Sequence, residues 1–260
     1  MDELNVISSE ADSSVEQVEI PSKRIIKRRS KQEIYRNAVI KRFEGAPWVK
    51  KRSVTIGGIG GIGSNVAYVL AKWGYDMEIF EDDVVEALNI GGQMYFLSDI
   101  GKTKVSSMMS LIYDVNKSCK VVGRGRLEED FREDSGIFPI TFSCFDSIPA
   151  RKLLFNMWYA KHKDNKEAIF IDGRMYSEGL EVFAVTPDRA DRYRETLFDD
   201  VLEDLPCNYK ATTQTGLIIA GLMTGLLSNH VTELVESYGV RELPFRTEFT
   251  IPLMRYETNR

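Results

Sequence analysis

Ser53-Val54-Thr55-Ile56, followed almost at once by Gly58-Ile59-Gly60-Gly61-Ile62-Gly63-Ser64, is the segment from which the rest of the chain can be read. The first four residues read as a short buried strand and Ser64 to Trp73 as a helix, with the glycine cluster as the turn between them. Glycines let the backbone turn tightly and come close to a phosphate or ribose. The helix that follows offers unpaired N–H groups and the positive end of its dipole. An acidic residue about 20 positions on, at the end of the next strand, would grip ribose hydroxyls. Glu81, at the end of the strand Met77–Phe80 and 18 residues after Gly63, fits, and Asp82 or Asp83 could do the same. Taken alone, this fingerprint suits NAD, FAD or ATP.

Outward from this unit the chain keeps alternating. A glycine-rich loop (Asn89–Gly92) precedes a helix from about Lys102 to Asn116. Lys120–Val122 and Pro139–Cys144 are strands, a helix runs from about Ala150 to Lys161, and Ala168–Asp172 is a fifth strand. This order predicts an α/β, Rossmann-like fold, with a mostly parallel sheet and helices on both faces. The second half supplies additional strands. MYSEGLEVFAVT, within Arg174–Thr186, alternates around Gly179 and predicts a paired segment. Arg189–Leu205 is charged, Thr213–Tyr238 reads as a buried helix, and Glu248–Tyr256 as a terminal strand.

Composition narrows the class. With 260 residues there is room for one or two domains. The 34 basic and 39 acidic residues leave a net charge of −5, which argues against a generic nucleic-acid binder. Three dispersed cysteines (Cys119, Cys144, Cys207) exclude a disulfide scaffold and any Cys-x-x-Cys zinc knuckle, so no zinc is expected. Two histidines, His162 and His230, exclude a His-rich metal site and are expected to be solvated at helix ends. Residues 1–31 read as a disordered acidic tail plus a basic linker (Lys23–Lys31), and 32–260 as a single domain beginning with a helix, Gln32–Phe43. No secretory leader is visible at the N-terminus, and Thr215–Leu227 is too short to span a bilayer, so a cytoplasmic protein without membrane contact is expected.

A longer motif breaks the degeneracy of the glycine turn. In order come the turn, the acidic cluster Glu81-Asp82-Asp83, Asn89 and Gln93, then Asp99-Ile100-Gly101-Lys102-Thr103-Lys104-Val105, then a strand ending at Asp146-Ser147, then Arg151. This resembles the ThiF/MoeB/HesA superfamily, the adenylating domain of ubiquitin-activating enzymes, over about Arg36 to Glu236. The resemblance implies that Gly58, Gly60, Gly61 and Gly63 hold ATP, that Glu81 binds its ribose, and that Asn89, Gln93 and Lys104 bind the nucleotide. It implies that Asp146 holds Mg²⁺ and that Arg36 reaches the ATP of a partner subunit. From the residues alone, Lys104 could also be an exposed helix lysine and Asp146 a helix N-cap. One departure stands out: the family's Asn-x-x-Arg-Gln reads Asn89-Ile90-Gly91-Gly92-Gln93 here, so a phosphate-binding arginine is replaced by Gly92.

The implied reaction is adenylation of a carboxylate by ATP with release of pyrophosphate. The implied substrate is the C-terminal glycine of a ubiquitin-like or sulfur-carrier protein; a small-molecule or tRNA-borne carboxylate is the close variant. No general base is needed, because a carboxylate is already ionised. Cys207 lies where some members place a thioester- or persulfide-forming cysteine, whereas Cys119 and Cys144 read as packing residues. The family implies a homodimer or a heterodimer. Two alternatives remain. Gly92 favours a nucleotide-binding scaffold subunit without catalysis, and the spacing Tyr159-x-x-x-Lys163 is also seen in NAD-dependent oxidoreductases.

Overall fold

The computed structural model describes residues 42–43, 45–50, 52–128, 136–176, 179–197, 213–236 and 243–259. Arg36, Cys207, the acidic tail, the basic linker and almost all of the expected helix Gln32–Phe43 lie outside the described residues.

β1 (Ser53–Gly57) leads through the glycine turn into α1 (Gly63–Trp73) and on to β2 (Asp76–Phe80). Two short 3-10 segments, Ala87–Gly91 and Leu97–Asp99, precede α2 (Lys104–Val115) and β3 (Val121–Gly123). β4 (Ile140–Ser143), α3 (Ile148–His162) and β5 (Ile169–Met175) complete the alternating part. β6 (Gly179–Val185), a short α4 (Ala190–Arg194), the long α5 (Thr213–Glu236), β7 (Arg246–Thr250) and β8 (Arg255–Asn259) follow. The eight strands form one sheet in the order β3-β2-β1-β4-β5-β6-β7-β8. The first five are parallel, and β6, β7 and β8 are added antiparallel.

The strand period of two divides the core in half. Val54, Ile56, Met77, Ile79, Ile140, Phe142, Ile169, Ile171, Leu180, Val182 and Ala184 face one cluster, filled by α1, α2 and α5. Phe80, Phe170, Phe183 and Val185 face the other, filled by Leu154, Phe155 and Trp158 of α3 and Tyr193 of α4. Short runs of apolar and buried polar residues, such as Val54-Thr55-Ile56 and Ile140-Thr141-Phe142, make the parallel half legible from sequence. The ends of α1 and α2 are set locally. Gly74, at φ +82°, closes α1, and the Thr103 side chain accepts from Ser106 N–H to open α2. Among the described residues α5 is the one helix long and apolar enough to cross a membrane, and half of its most apolar window is buried within the fold.

Two expectations change. The terminal strand is a hairpin, β7 and β8, because Ile251–Met254 form a turn within an apolar run, with Met254 in the left-handed region at φ +46°. The histidines are buried rather than solvated. A His162 ring nitrogen bonds Ile137 O at 2.8 Å and one of His230 bonds Glu167 O at 3.0 Å. Burial pushes both imidazoles below their ordinary pKa, against the smaller opposing pull of those carbonyls. The neutral form is therefore favoured in the fold, while the unfolded chain takes up protons near pH 6.5. Stability should fall as pH drops below about 6.5 and keep falling until the lowered folded-state values are passed. Thermal unfolding between pH 8 and 5 should show this slope, and replacing both residues (His162→Gln, His230→Gln) should flatten it.

Candidate functional site

The glycine turn is where the two halves of the molecule meet. Gly58 has φ +80°, and its N–H donates to Phe80 O at 2.9 Å. A Cβ on Gly63 would sit 1.9 Å from Gly58 O, so no side chain fits there. Gly60 differs: a Cβ there would meet only Gln93 Nε2, at 4.0 Å. The protein itself does not require a glycine at 60; a ligand approaching the backbone would.

Neighbouring elements clamp the turn. Ser64 Oγ donates to Gly60 O at 2.6 Å and accepts from Met94 N–H at 3.1 Å. Tyr95 O–H donates to Ile59 O at 2.8 Å, and Asn65 Nδ2 to Gly61 O at 2.8 Å. The Tyr95 hydroxyl is pushed far up in pKa by burial and by Glu81, Asp83 and Asp99 nearby, so it stays a donor. The start of α5 closes the other side. Thr213 Oγ1 donates to Gly91 O, and a Cβ on Gly216 would lie 2.6 Å from Gly61 O. β4 abuts the turn as well, since Cys144 N–H donates to Gly57 O at 2.8 Å. The first N–H groups of α1 have no side-chain cap, because Ile62 stands at the N-cap.

Glu81, Lys104 and Gln93 lie close to this turn. Glu81 Oε2 accepts from Ile59 N–H at 3.1 Å, and Oε1 accepts from Asp82 and Asp83 N–H at 3.1 Å each. Lys104 is not an exposed helix lysine. It is buried, with its ammonium 2.6 Å from Asp83 Oδ2 and 3.8 Å from Glu81 Oε2. Asn89 Oδ1 accepts from Glu86 N–H at 2.8 Å, which shapes the 3-10 segment. Gln93 faces Gly60 and leaves a buried Oε1 with no hydrogen-bond partner among the described residues. Asp146 is exposed and is not the helix cap. Ser147 caps α3 by accepting from Ala150 N–H, leaving the Asp146 carboxylate free of that task.

Between α3 and β5 lies a buried charge cluster that no local sequence pattern marks as such. Asp172 on β5, fully buried, pairs with Arg151 of α3 and, at 2.8 Å, with Arg174; Arg151 also donates to Gly173 O at 2.9 Å. Burial alone would raise the Asp172 carboxyl, but the two guanidiniums hold it below the usual carboxylate range. This brace ties the helix that starts after Asp146 to β5. Cys144 is buried, and burial pushes its thiol up, which makes it an inert packing residue. Tyr159, of the oxidoreductase-like spacing, stacks on Phe155 about 16 Å along α3 from its start.

The family model described as the ThiF family matches residues 36–258. Over 81 residues, 30% of this chain, the sequence is 36% identical to the tRNA threonylcarbamoyladenosine dehydratase of Bacillus subtilis (strain 168). That match spans about a third of the relative's length (32%). Among solved structures, a selenomethionine form of PaaA superposes with a TM-score of 0.67 at 18% identity, covering 92% of this chain and 76% of that one. E. coli MccB with ATP superposes with a TM-score of 0.58 at 16% identity, covering 85% of this chain and 65% of that one. At these identities the two structures share the fold.

The glycines make separable demands. Gly63→Ala should cost about 3 kcal/mol or more, since a backbone carbonyl stands in the way. Gly60→Ala should stay within about 0.5 kcal/mol of the parent. Urea unfolding midpoints of the two variants measure the difference.

Proposed function

Since the chain belongs to the ThiF family, we propose that it is an ATP-dependent adenylyltransferase acting on a substrate carboxylate. The observation that carries this reading is the open side of the glycine turn at Gly60, with Glu81, Lys104 and the buried Gln93 Oε1, which has no partner among the described residues, close to it, and an exposed Asp146 just beyond β4. These are the parts a nucleoside triphosphate needs: close backbone approach, N–H donors at a helix start, a cation, a ribose acceptor and a metal ligand.

In the proposed reaction a carboxylate oxygen attacks the α-phosphorus of ATP. The new O–P bond forms as the bond to the leaving pyrophosphate breaks, and no proton has to be removed. Bringing two anions together is the main barrier, so charge neutralisation is what the chain must supply. The N–H groups of the turn would orient the phosphates, and Lys104 would sit against the developing charge. Glu81 would hold the ribose, and Gln93, with Asn89 shaping its loop, would line the nucleotide. Asp146 would hold Mg²⁺, which when bound offsets charge on the phosphate oxygens. Gly92, in place of an arginine, leaves one cation fewer. Arg36 is proposed to supply one from a second copy, which makes a dimer the active form.

The substrate proposed is the C-terminal carboxylate of a ubiquitin-like or sulfur-carrier protein, with Cys207 as the residue whose sulfur would take over the activated acyl group as a thioester, breaking the acyl C–O bond and releasing AMP. A tRNA-borne carboxylate is the second reading, favoured by the match to the dehydratase. The net charge of −5 weighs against it. A scaffold subunit that binds nucleotide without turnover is the outcome if exchange is never observed.

Calorimetric titration tests the nucleotide before any partner is known. ATP with Mg²⁺ should bind and NAD should not. Lys104→Met should weaken binding at least tenfold, and Asp146→Ala should remove most of the gain that Mg²⁺ brings. Cys207→Ala should leave both unchanged. With candidate carboxylates added, pyrophosphate exchange should appear in the parent and vanish in Asp146→Ala; exchange undiminished in that variant would refute the assignment.

A further inference from the structure

Lys104 is held twice by one residue. Its backbone N–H donates to Asp83 O at 2.9 Å, and its ammonium to Asp83 Oδ2 at 2.6 Å. The contact is built into the fold. Val85 N–H donates to Lys102 O at 2.8 Å, and Gly101 N–H donates to Val85 O at 2.8 Å, so residues 83–85 and 101–104 run as a short antiparallel pair.

The two carboxylates near this ammonium are not equivalent. Glu81 is mostly buried, and both its oxygens accept backbone N–H groups, which hold its carboxylate in place. The Asp83 side chain is 64% exposed, and among the described residues its carboxylate bonds only to Lys104. Asp82 completes a set whose carboxylate oxygens lie within 4.8 Å of one another. An incoming polyphosphate therefore meets a lysine whose charge is already neutralised, next to acidic groups that repel it. The two obvious ways to relieve this are to remove the Asp83 charge or to give it another cation.

We propose that Asp83 is a specificity-determining residue that makes this site select metal-complexed nucleotide over the bare polyphosphate. It keeps Lys104 occupied until a divalent cation arrives with the nucleotide and replaces the ammonium as counter-ion of the Asp83 carboxylate. Lys104 then turns its charge to the phosphates. The inference rests on the reading of the site as one for ATP, and assigns to Asp83 a role separate from those of Glu81 and Asp146.

The test is calorimetric titration of the full chain with ATP in EDTA and with ATP plus Mg²⁺. In Asp83→Asn, which keeps the shape and an acceptor oxygen, metal-free ATP should bind about fivefold tighter than in the parent, the scale of one partly exposed ion pair. Binding of the magnesium complex should stay level or weaken, so the preference for metal collapses. Asp83→Glu should restore the preference, and Lys104→Met added to Asp83→Asn should abolish the gain. Matching urea midpoints for Asp83→Asn and the parent establish that the fold is intact. A variant that binds both forms more weakly, or gains equally for both, overturns the proposal while leaving the site's assignment standing. A parent chain that binds no ATP with Mg²⁺ overturns the assignment and the proposal together.

Discussion

The carbonyl of Gly58 occupies the place where a side chain on residue 63 would have to go, and much of the site's geometry depends on that close approach. Because the turn is this tight, α1 begins directly above β1, and its first N–H groups have no side chain of their own to cap them. The same tightness leaves Ile59, Gly60 and Gly61 carbonyls turned toward neighbours, and each finds one: Tyr95, Ser64 and Asn65. The turn is thereby rigid from the protein side and open at Gly60. That suits a site whose task is to hold phosphates still while charge moves.

The start of α5 reaches the same place from the far end of the chain. Thr213 meets Gly91 and Gly216 meets Gly61, while the body of the helix fills the core under β5 and β6. One helix thus both supports the sheet and borders the site. The Asp172–Arg151–Arg174 cluster does a similar job on the other face, joining the helix that starts after Asp146 to the strand beside it. A buried ion pair contributes little net stability but is costly to break on one side, so this brace favours a single position for that helix start.

What could be read from sequence follows from the range of each interaction. The glycine turn and the strands of the parallel half announce themselves locally, by residue type and by short β-branched and aromatic runs. The terminal hairpin did not, because its turn, Ile251–Met254, is itself apolar and hides the break between strands. His162 and His230 read as solvated because they fall toward helix ends among polar residues such as Lys161, Lys163 and Asn229, yet each ring finds a carbonyl from another segment, 25 and 63 residues away. Lys104 and Asp146 were singled out by motif, but their surroundings were not visible there. The pairs Lys104–Asp83 and Arg151–Asp172 each join residues 21 apart, beyond any helical or strand period.

The lengths of the sheet's connections also predict an order of assembly. β5–β6 and β7–β8 are hairpins, closed by a few residues and free to form early. β6 and β7, by contrast, are joined across about 60 residues that include α5, so their pairing closes a long loop and waits for that helix to find the sheet. Until β7 and β8 emerge from the ribosome, β6 would be an edge strand with the polar Glu181 near its middle. A charge on a temporary edge discourages pairing with a neighbouring nascent chain. In the finished molecule the same carboxylate is covered and paired with Arg246 of the strand it was waiting for.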